Sequence, residues 1–236
     1  DAKHALGELV QRVPRHNRSR DSREVELAGA KQQFVDRYLA LDVQAGFAGA
    51  IRDELPDDGI FVNESTQVGY WSRNGFPIYE PRSYLNSGYQ GTLGYGFATA
   101  LGAQVGNPNR KVVSINGDGG FMYNVQELST MAKFNIPLVA VVFDDGAFGN
   151  VRRMQQIRMD EHTIGTELQS PDWLKMADSF GVTATRATTP DALRSALRSA
   201  FDSNAPHLIE VPMPAARDLP AVAPMQQLAA RPNLNL

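Results

Sequence analysis

From residue 24 onward two periodicities alternate along the chain. Apolar residues three and four apart predict helices over 24–40, 44–55, 66–74, 91–104, 120–134, 147–157, 171–180 and 190–203. Between them, short β-branched and apolar runs predict strands over 59–63, 111–116, 138–143, 182–186 and 207–211. Strands separated by helical stretches imply right-handed crossovers. The expected fold class is therefore α/β, a doubly wound, mostly parallel sheet with helices on both faces. One stretch, IRMDEHTIGTELQS (157–170), loses periodicity while keeping glycine and charge, and is expected to be a mobile loop with a lid as one candidate role.

The amino end reads differently. Residues 1–13, DAKHALGELVQRV, predict a short amphipathic helix with Ala5, Leu6, Leu9 and Val13 on one side, cut off by Pro14. Residues 14–23 form a polar, Arg-rich connector. The last residues, 216–236, rich in Pro, Ala and Asn, are expected to run over the surface or dock on a neighbour.

Composition narrows the function classes. A chain of 236 residues with 42% hydrophobic residues can bury a sizeable core. The net charge of −3 is small and the basic residues are spread out apart from Arg12, Arg15, Arg18, Arg20 and Arg23, which read as a solvated linker. Nothing points to nucleic acid as the main partner. The chain has no cysteine, which removes disulfides, thiolate metal sites and cysteine nucleophiles. No run approaches the ~18 apolar residues of a membrane span, and the default location is cytoplasmic. The four histidines are scattered, with His162 alone in the candidate lid, where a proton-transfer role is one reading. Trp71 and Trp173 read as core, and no GxSxG serine appears.

The chemistry concentrates in two similar places. Asn116-Gly117-Asp118-Gly119-Gly120 follows the strand VVSI, and Asp145-Gly146-Ala147 follows PLVAVVF, so two carboxylates emerge at one rim of a sheet. Open α/β sheets bind ligands at that rim. Carboxylate oxygens suit a hard divalent cation, and glycines let main-chain N–H groups approach a phosphate. Gly119 and Gly120, at the start of a helix, place such N–H groups. The implied ligand is a metal-bound diphosphate. The structural alternative for each acid is a cap of the following helix.

Asp118 and Asp145, 27 residues apart, resemble the metal and diphosphate motif of thiamine diphosphate-dependent enzymes, GDG followed by an Asn pair. Asn86-Ser87-Gly88-Tyr89-Gln90-Gly91-Thr92-Leu93-Gly94 with YGFATALGAQ resembles the cofactor-cradling turn of the acetolactate synthase and benzoylformate decarboxylase branch, and Asn63-Glu64-Ser65-Thr66 resembles the opening of its diphosphate loop. The resemblance implies that residues 1–13 end a preceding middle domain, that 14–23 are a linker, and that 24–215 are the thiamine diphosphate-binding domain followed by the tail 216–236. It implies Mg²⁺ held by Asp118, Asp145 and the Ala147 carbonyl, and diphosphate contacts from Thr66, Gln67, Gly119 and Gly120. Phe148 and Gly149 would close the pocket below the phosphates. Gly91 would accept the aminopyrimidine's amino group and Leu93 would wedge the two cofactor rings into a V. Asp144-Asp145 departs from the family's Asn pair and adds negative charge beside the diphosphate.

Asn150, Val151 and Met154 fall at the substrate pocket of the family. Acetolactate synthases usually carry methionine and tryptophan at positions 150 and 154, while Val151 and Arg152 follow the branch. Arg152 reads equally as a substrate-carboxylate partner or as an interface or core-edge arginine. The activity implied is decarboxylation of a small 2-keto acid with carboligation or aldehyde release. In the family the activating glutamate comes from a pyrimidine domain of the neighbouring subunit, and no segment here matches it. Glu64, in the diphosphate loop, is a different residue. The chain is therefore expected to work with another segment or chain, as a dimer or tetramer. Alternative readings are an FAD-containing oxidase of the same superfamily, a non-catalytic cofactor-binding regulatory subunit, a Mg²⁺-dependent phosphoryl-transfer protein, and a nicotinamide site at the partial fingerprint Gly94-Tyr95-Gly96.

Overall fold

Among the described residues, short runs rich in β-branched and aromatic residues form six strands, and amphipathic segments form the helices around them. A computed structural model describes residues 1–16 and 21–222. In chain order the elements are α1 (Ala2–His16), α2 (Glu24–Leu39), α3 (Asp42–Glu54), β1 (Ile60–Asn63), α4 (Gln67–Gly75), β2 (Tyr84–Asn86), α5 (Tyr95–Gly106), β3 (Val112–Gly117), α6 (Asp118–Met122), α7 (Leu128–Lys133), β4 (Val139–Asp144), α8 (Gly149–Arg158), α9 (Trp173–Ser179), β5 (Thr183–Arg186), α10 (Pro190–Ser203) and β6 (His207–Pro212). Residues up to Arg37 form one compact unit and those from Tyr38 another.

The six strands make one parallel sheet in the order β2-β1-β3-β4-β6-β5. Successive side chains point to opposite faces, so each central strand feeds two cores. Phe61, Val113, Ile115, Val141 and Ile209 pack against α3, α4 and α10. Ile60, Val62, Val112, Ala140, Val142 and Leu208 pack against α5, α6, α7 and α9. Each fully buried Val, Leu, Ile or Phe contributes about 1.5–3 kcal/mol, so burial on both faces holds the central strands in register. The chain steps outward from β1 to β2 at the sheet edge and returns across β1 to form β3. The strand order therefore reverses between β1 and β3, where a crevice opens at the carboxyl ends.

The doubly wound parallel sheet is as expected, and four local features differ from the sequence reading. The edge strand β2 has only half-buried or exposed positions and so lacks an apolar signature. The segment expected to be helical from residue 91 starts its helix only at Tyr95, because Gly91 and Gly94 take left-handed backbone, φ 61° and 80°, that a right-handed helix excludes. The helix expected over 120–134 breaks into α6 and α7 with a 3-10 turn between them, and Asn124 at the break donates to the Gly94 carbonyl. Finally, α1 continues to His16 through Pro14, whose missing N–H costs a single bond in the last turn.

Two connecting segments are more tightly held than their composition implies. In the 157–170 stretch, Phe148 N–H donates to Thr166 O at 2.8 Å and Leu168 N–H to Gly146 O at 2.9 Å, and Ala147 bridges Glu167 antiparallel. In the tail, Leu219 and Val222 are buried, and Gln44 donates to Pro220 O. Residues 223–236 and 17–20 lie outside the described residues. Among the described residues no helix is long and apolar enough to cross a membrane.

Candidate functional site

The tips of β1, β3 and β4 surround a cavity of about 260 Å³ in the crevice where the strand order reverses. From the β1 side it is walled by Ser65, Thr66, Gln67 and Tyr70. The turn before α5 adds Gly91 and Leu93, and the β3 tip adds Gly117, Asp118, Gly119 and Gly120. The β4 tip brings Phe143, Asp145, Ala147, Phe148 and Gly149, and the first turn of α8 brings Asn150 and Val151. Met213 and Pro214, beyond β6, complete the wall. The cofactor-site candidates read from the sequence are thus gathered around one space. Met154 is not among the lining residues. Ser65 lay within the diphosphate-loop motif without being singled out, and Tyr70, Phe143, Met213 and Pro214 carried no motif that would have marked them.

The acids at the rim converge, with Asp118 buried and Asp144 and Asp145 half-buried. Asp118 Oδ2 accepts the Ala147 N–H at 3.1 Å, and Asp118 Oδ1 accepts the Gly119 N–H at 2.8 Å. Asp145 also draws on the Ala147 N–H, together with that of Ala216. Burial raises the Asp118 pKa to about 7, opposed by the Gly119 N–H and reinforced by Asp144, which accepts a hydrogen bond from the protonated acid and adds its own charge. Burial also raises Asp145, with the charge of Arg152 as the main opposing effect. Asp144 goes the other way: burial opposes its ionisation, but Trp173, Ser170 and the Gly146 N–H donate to it and hold its pKa below the ordinary value. Asp144, the first acid of the Asp pair, thus points its charge at Ser170 and Trp173, while Asp145 lines the cavity.

Two carboxylates, those of Asp118 and Asp145, meet on the Ala147 amide, and such oxygens are of the kind a hard divalent cation takes. Among the described residues there is no cluster of three or more His, Cys, Asp or Glu disposed to hold an ion, so any cation here relies on main-chain and ligand oxygens as well. Thr66 caps α4, its Oγ1 accepting the Gly69 N–H at 2.8 Å, which leaves the hydroxyl proton available as a donor. Asn150 Oδ1 is buried without a partner among the described residues.

Glu64, just past β1, is 2% exposed. Its Oε1 accepts the Gly94 N–H at 2.8 Å and its Oε2 the Gly96 N–H at 2.9 Å. A protein carboxylate thus fills the amino end of α5, where a dinucleotide fingerprint would hold phosphate. Arg153, next to the residue singled out in the sequence, is the buried one of the arginine pair. It donates to Leu219 O and, at 3.4 Å, to Gln67 Oε1. His162 is exposed, with its ring nitrogen on Met159 O, and is not among the residues lining the cavity.

Comparison with known proteins agrees with this geometry. Residues 64–211 match the family described as thiamine pyrophosphate enzyme, C-terminal TPP binding domain. A probable acetolactate synthase large subunit of Methanocaldococcus jannaschii is 40% identical over 166 residues, 70% of this chain and 28% of that protein. A probable 2-ketoarginine decarboxylase of Pseudomonas aeruginosa is 30% identical over 221 residues, 92% of this chain and 39% of that protein. The structure of a thiamine diphosphate-dependent 4-hydroxybenzoylformate decarboxylase from Rhodococcus jostii RHA1 superposes with a TM-score of 0.67 at 32% identity, covering 74% of this chain and 33% of that one. The chain spans well under half the length of these relatives. A reversed strand order, two acids and a glycine pair at neighbouring strand tips, and a family match over the same residues lead to one conclusion: the chain belongs to the thiamine pyrophosphate enzymes and carries their C-terminal TPP-binding domain.

Proposed function

We propose that this chain supplies the diphosphate- and metal-binding half of the active site of a thiamine diphosphate- and Mg²⁺-dependent 2-keto acid decarboxylase or carboligase of the acetolactate synthase-like branch. The observation that carries this reading is the convergence of Asp118 and Asp145 on the Ala147 amide at the floor of a cavity that also holds Thr66, Gln67, Gly91 and Leu93. Asp118, Asp145 and the Ala147 carbonyl hold Mg²⁺, and the Gly119 and Gly120 amides with Thr66 and Gln67 donate to the diphosphate oxygens. Phe148 and Gly149 close the space below the phosphates. The Gly91 carbonyl orients the aminopyrimidine, and Leu93 separates the two rings without offering a competing hydrogen bond. When bound, the cofactor supplies the carbanion that adds to the keto carbon and the sink for the electrons released with CO₂.

Asn150 and Val151 bound the substrate side, and the unpartnered Asn150 Oδ1 offers a polar contact where the acetolactate synthases carry an apolar residue. The activating glutamate comes from a pyrimidine-domain segment or chain, and the working unit is a homodimer or tetramer in which the cofactor lies between domains. The relatives named as acetolactate synthases and as keto-acid decarboxylases support both outcomes of the chemistry.

The test is a titration of thiamine diphosphate with and without Mg²⁺ into the assembled protein, followed by assays of CO₂ release from pyruvate, benzoylformate and glyoxylate. Mg²⁺-dependent cofactor binding and release of CO₂ from at least one acid are expected. Binding indifferent to Mg²⁺, or retained in Asp118→Ala, overturns the ligand set.

A further inference from the structure

Glu64 belongs to none of the groups assigned so far to metal, diphosphate or rings, yet it touches the segments that carry two of them. Its carboxylate receives one N–H from each of two residues at the head of α5, Gly94 and Gly96, through separate oxygens. Its Oε1 also lies so close to Gly120 that a Cβ there would collide with it, so the carboxylate rests on the bare main chain of the glycine pair. A Cβ at Gly96 would likewise meet Glu64 Oε2 at 2.8 Å. The Glu64 carbonyl accepts the Thr66 N–H at 2.9 Å, which places the cap of α4. One buried residue thus touches three segments, the Gly91–Gly94 turn and the Gly119–Gly120 main chain through its carboxylate and the Ser65–Gln67 loop through its carbonyl.

Resting on the cofactor reading above, we propose that Glu64 is a positioning residue that sets the separation between the ring-holding turn at Gly91–Leu93 and the diphosphate-holding amides at Gly119–Gly120. The physical requirement is a rigid acceptor at both ends. One oxygen holds the amide of Gly94, whose left-handed turn has no side chain to anchor it, and the other holds the amide of Gly96 in the first turn of α5. Burial raises the Glu64 pKa and the two glycine N–H groups oppose that rise, so the bonds that fix the turn are also the ones that favour the ionised acid. Glutamine has nearly the same shape but only one acceptor, and its NH₂ would face an N–H. Glu64→Gln therefore releases one end of the turn without opening a cavity.

The distinguishing readout compares two probes. Inorganic diphosphate with Mg²⁺ senses only the phosphate end, while thiamine diphosphate must fit both ends at once. In the assembled protein, calorimetric titration of Glu64→Gln is expected to weaken thiamine diphosphate about 10–100-fold, the range for residues that orient primary ligands, and to change diphosphate affinity by less than about twofold. Glu64→Asp, which keeps the charge but withdraws the carboxylate by one methylene, is expected to give the same split and serves if the glutamine variant fails to fold. Glu210→Gln removes another buried carboxylate, one paired with Arg186 away from the cavity, and should lower the melting temperature while leaving both affinities unchanged. Equal weakening of both probes, or no weakening of either, overturns the positioning role. A wild-type protein that binds diphosphate with Mg²⁺ but not thiamine diphosphate overturns the cofactor reading, and this inference with it.

Discussion

The indole N–H of Trp173 donates to Asp144 Oδ2 at 2.6 Å. The same ring is buried and packs edge-on against Phe121, centroids 5.7 Å apart, so the acid at the end of β4 is tied to the core beneath α6. Trp173→Phe keeps an aromatic ring and removes the donor. A lost hydrogen bond to a charged group costs about 1.5–3 kcal/mol, which chemical denaturation at neutral pH should show. Because Asp144 has a folded pKa below its ordinary 3.8, its contribution is present above that value and lost as pH falls. The deficit of the variant should therefore shrink in acid.

Gly149 opens α8 directly against Asp145, and a Cβ there would collide with Asp145 Oδ2. Gly149→Ala is expected to swing that carboxylate away from the Ala147 amide. If Asp145 is the ligand proposed above, the loss should exceed the roughly 10–100-fold cost typical of residues behind the ligands. Titration of Mg²⁺ at fixed thiamine diphosphate checks it; unchanged affinity would remove Asp145 from the ligand set.

Asp118, with a pKa raised to about 7 before metal binds, must give up a proton to bind a cation near neutrality. Apparent Mg²⁺ affinity should fall by about tenfold per pH unit below about pH 7, the slope of a single displaced proton. Without metal the sign reverses for stability: the folded pKa exceeds the unfolded one, so stability is lost as pH rises from 3.8 through about 7. Melting temperatures measured with EDTA and with excess Mg²⁺ should diverge as pH increases.

His207, at the start of β6, is 6% exposed, and burial lowers its pKa from 6.5. Its Nε2 lies 2.9 Å from Thr185 Oγ1 on β5. The neutral ring is favoured in the folded state, so the unfolded chain binds more protons just below pH 6.5, and stability falls as pH drops through that window. His207→Gln should flatten the acid side of a melting-temperature profile, and an unchanged slope would show that another group governs it.

How much of this was legible in the sequence depends on what each residue answers to. β3 and β4 announce themselves because both faces are buried, so a run such as VAVVFD admits no other reading. β2 stays hidden because an edge strand pairs on one side only and its Tyr84-Leu85-Asn86 need not be apolar. The acids at the rim were legible as strand-end carboxylates followed by glycine. Which oxygen of the Asp144-Asp145 pair turns to the cavity was not, because Trp173 and Ser170, 29 and 26 residues further on, decide it. Glu64 was read as part of a loop. Its role in holding α5 depends on contacts 30 and 32 residues away that no local pattern encodes.

The antiparallel ladder between Gly146–Phe148 and Thr166–Leu168 has a practical corollary. The Phe148 and Leu168 amides both bond across this pairing, on either side of Ala147, the proposed main-chain ligand of the cation. Occupancy of the site should slow deuterium uptake at these two amides together, giving a label-free gauge of cofactor loading that needs no turnover.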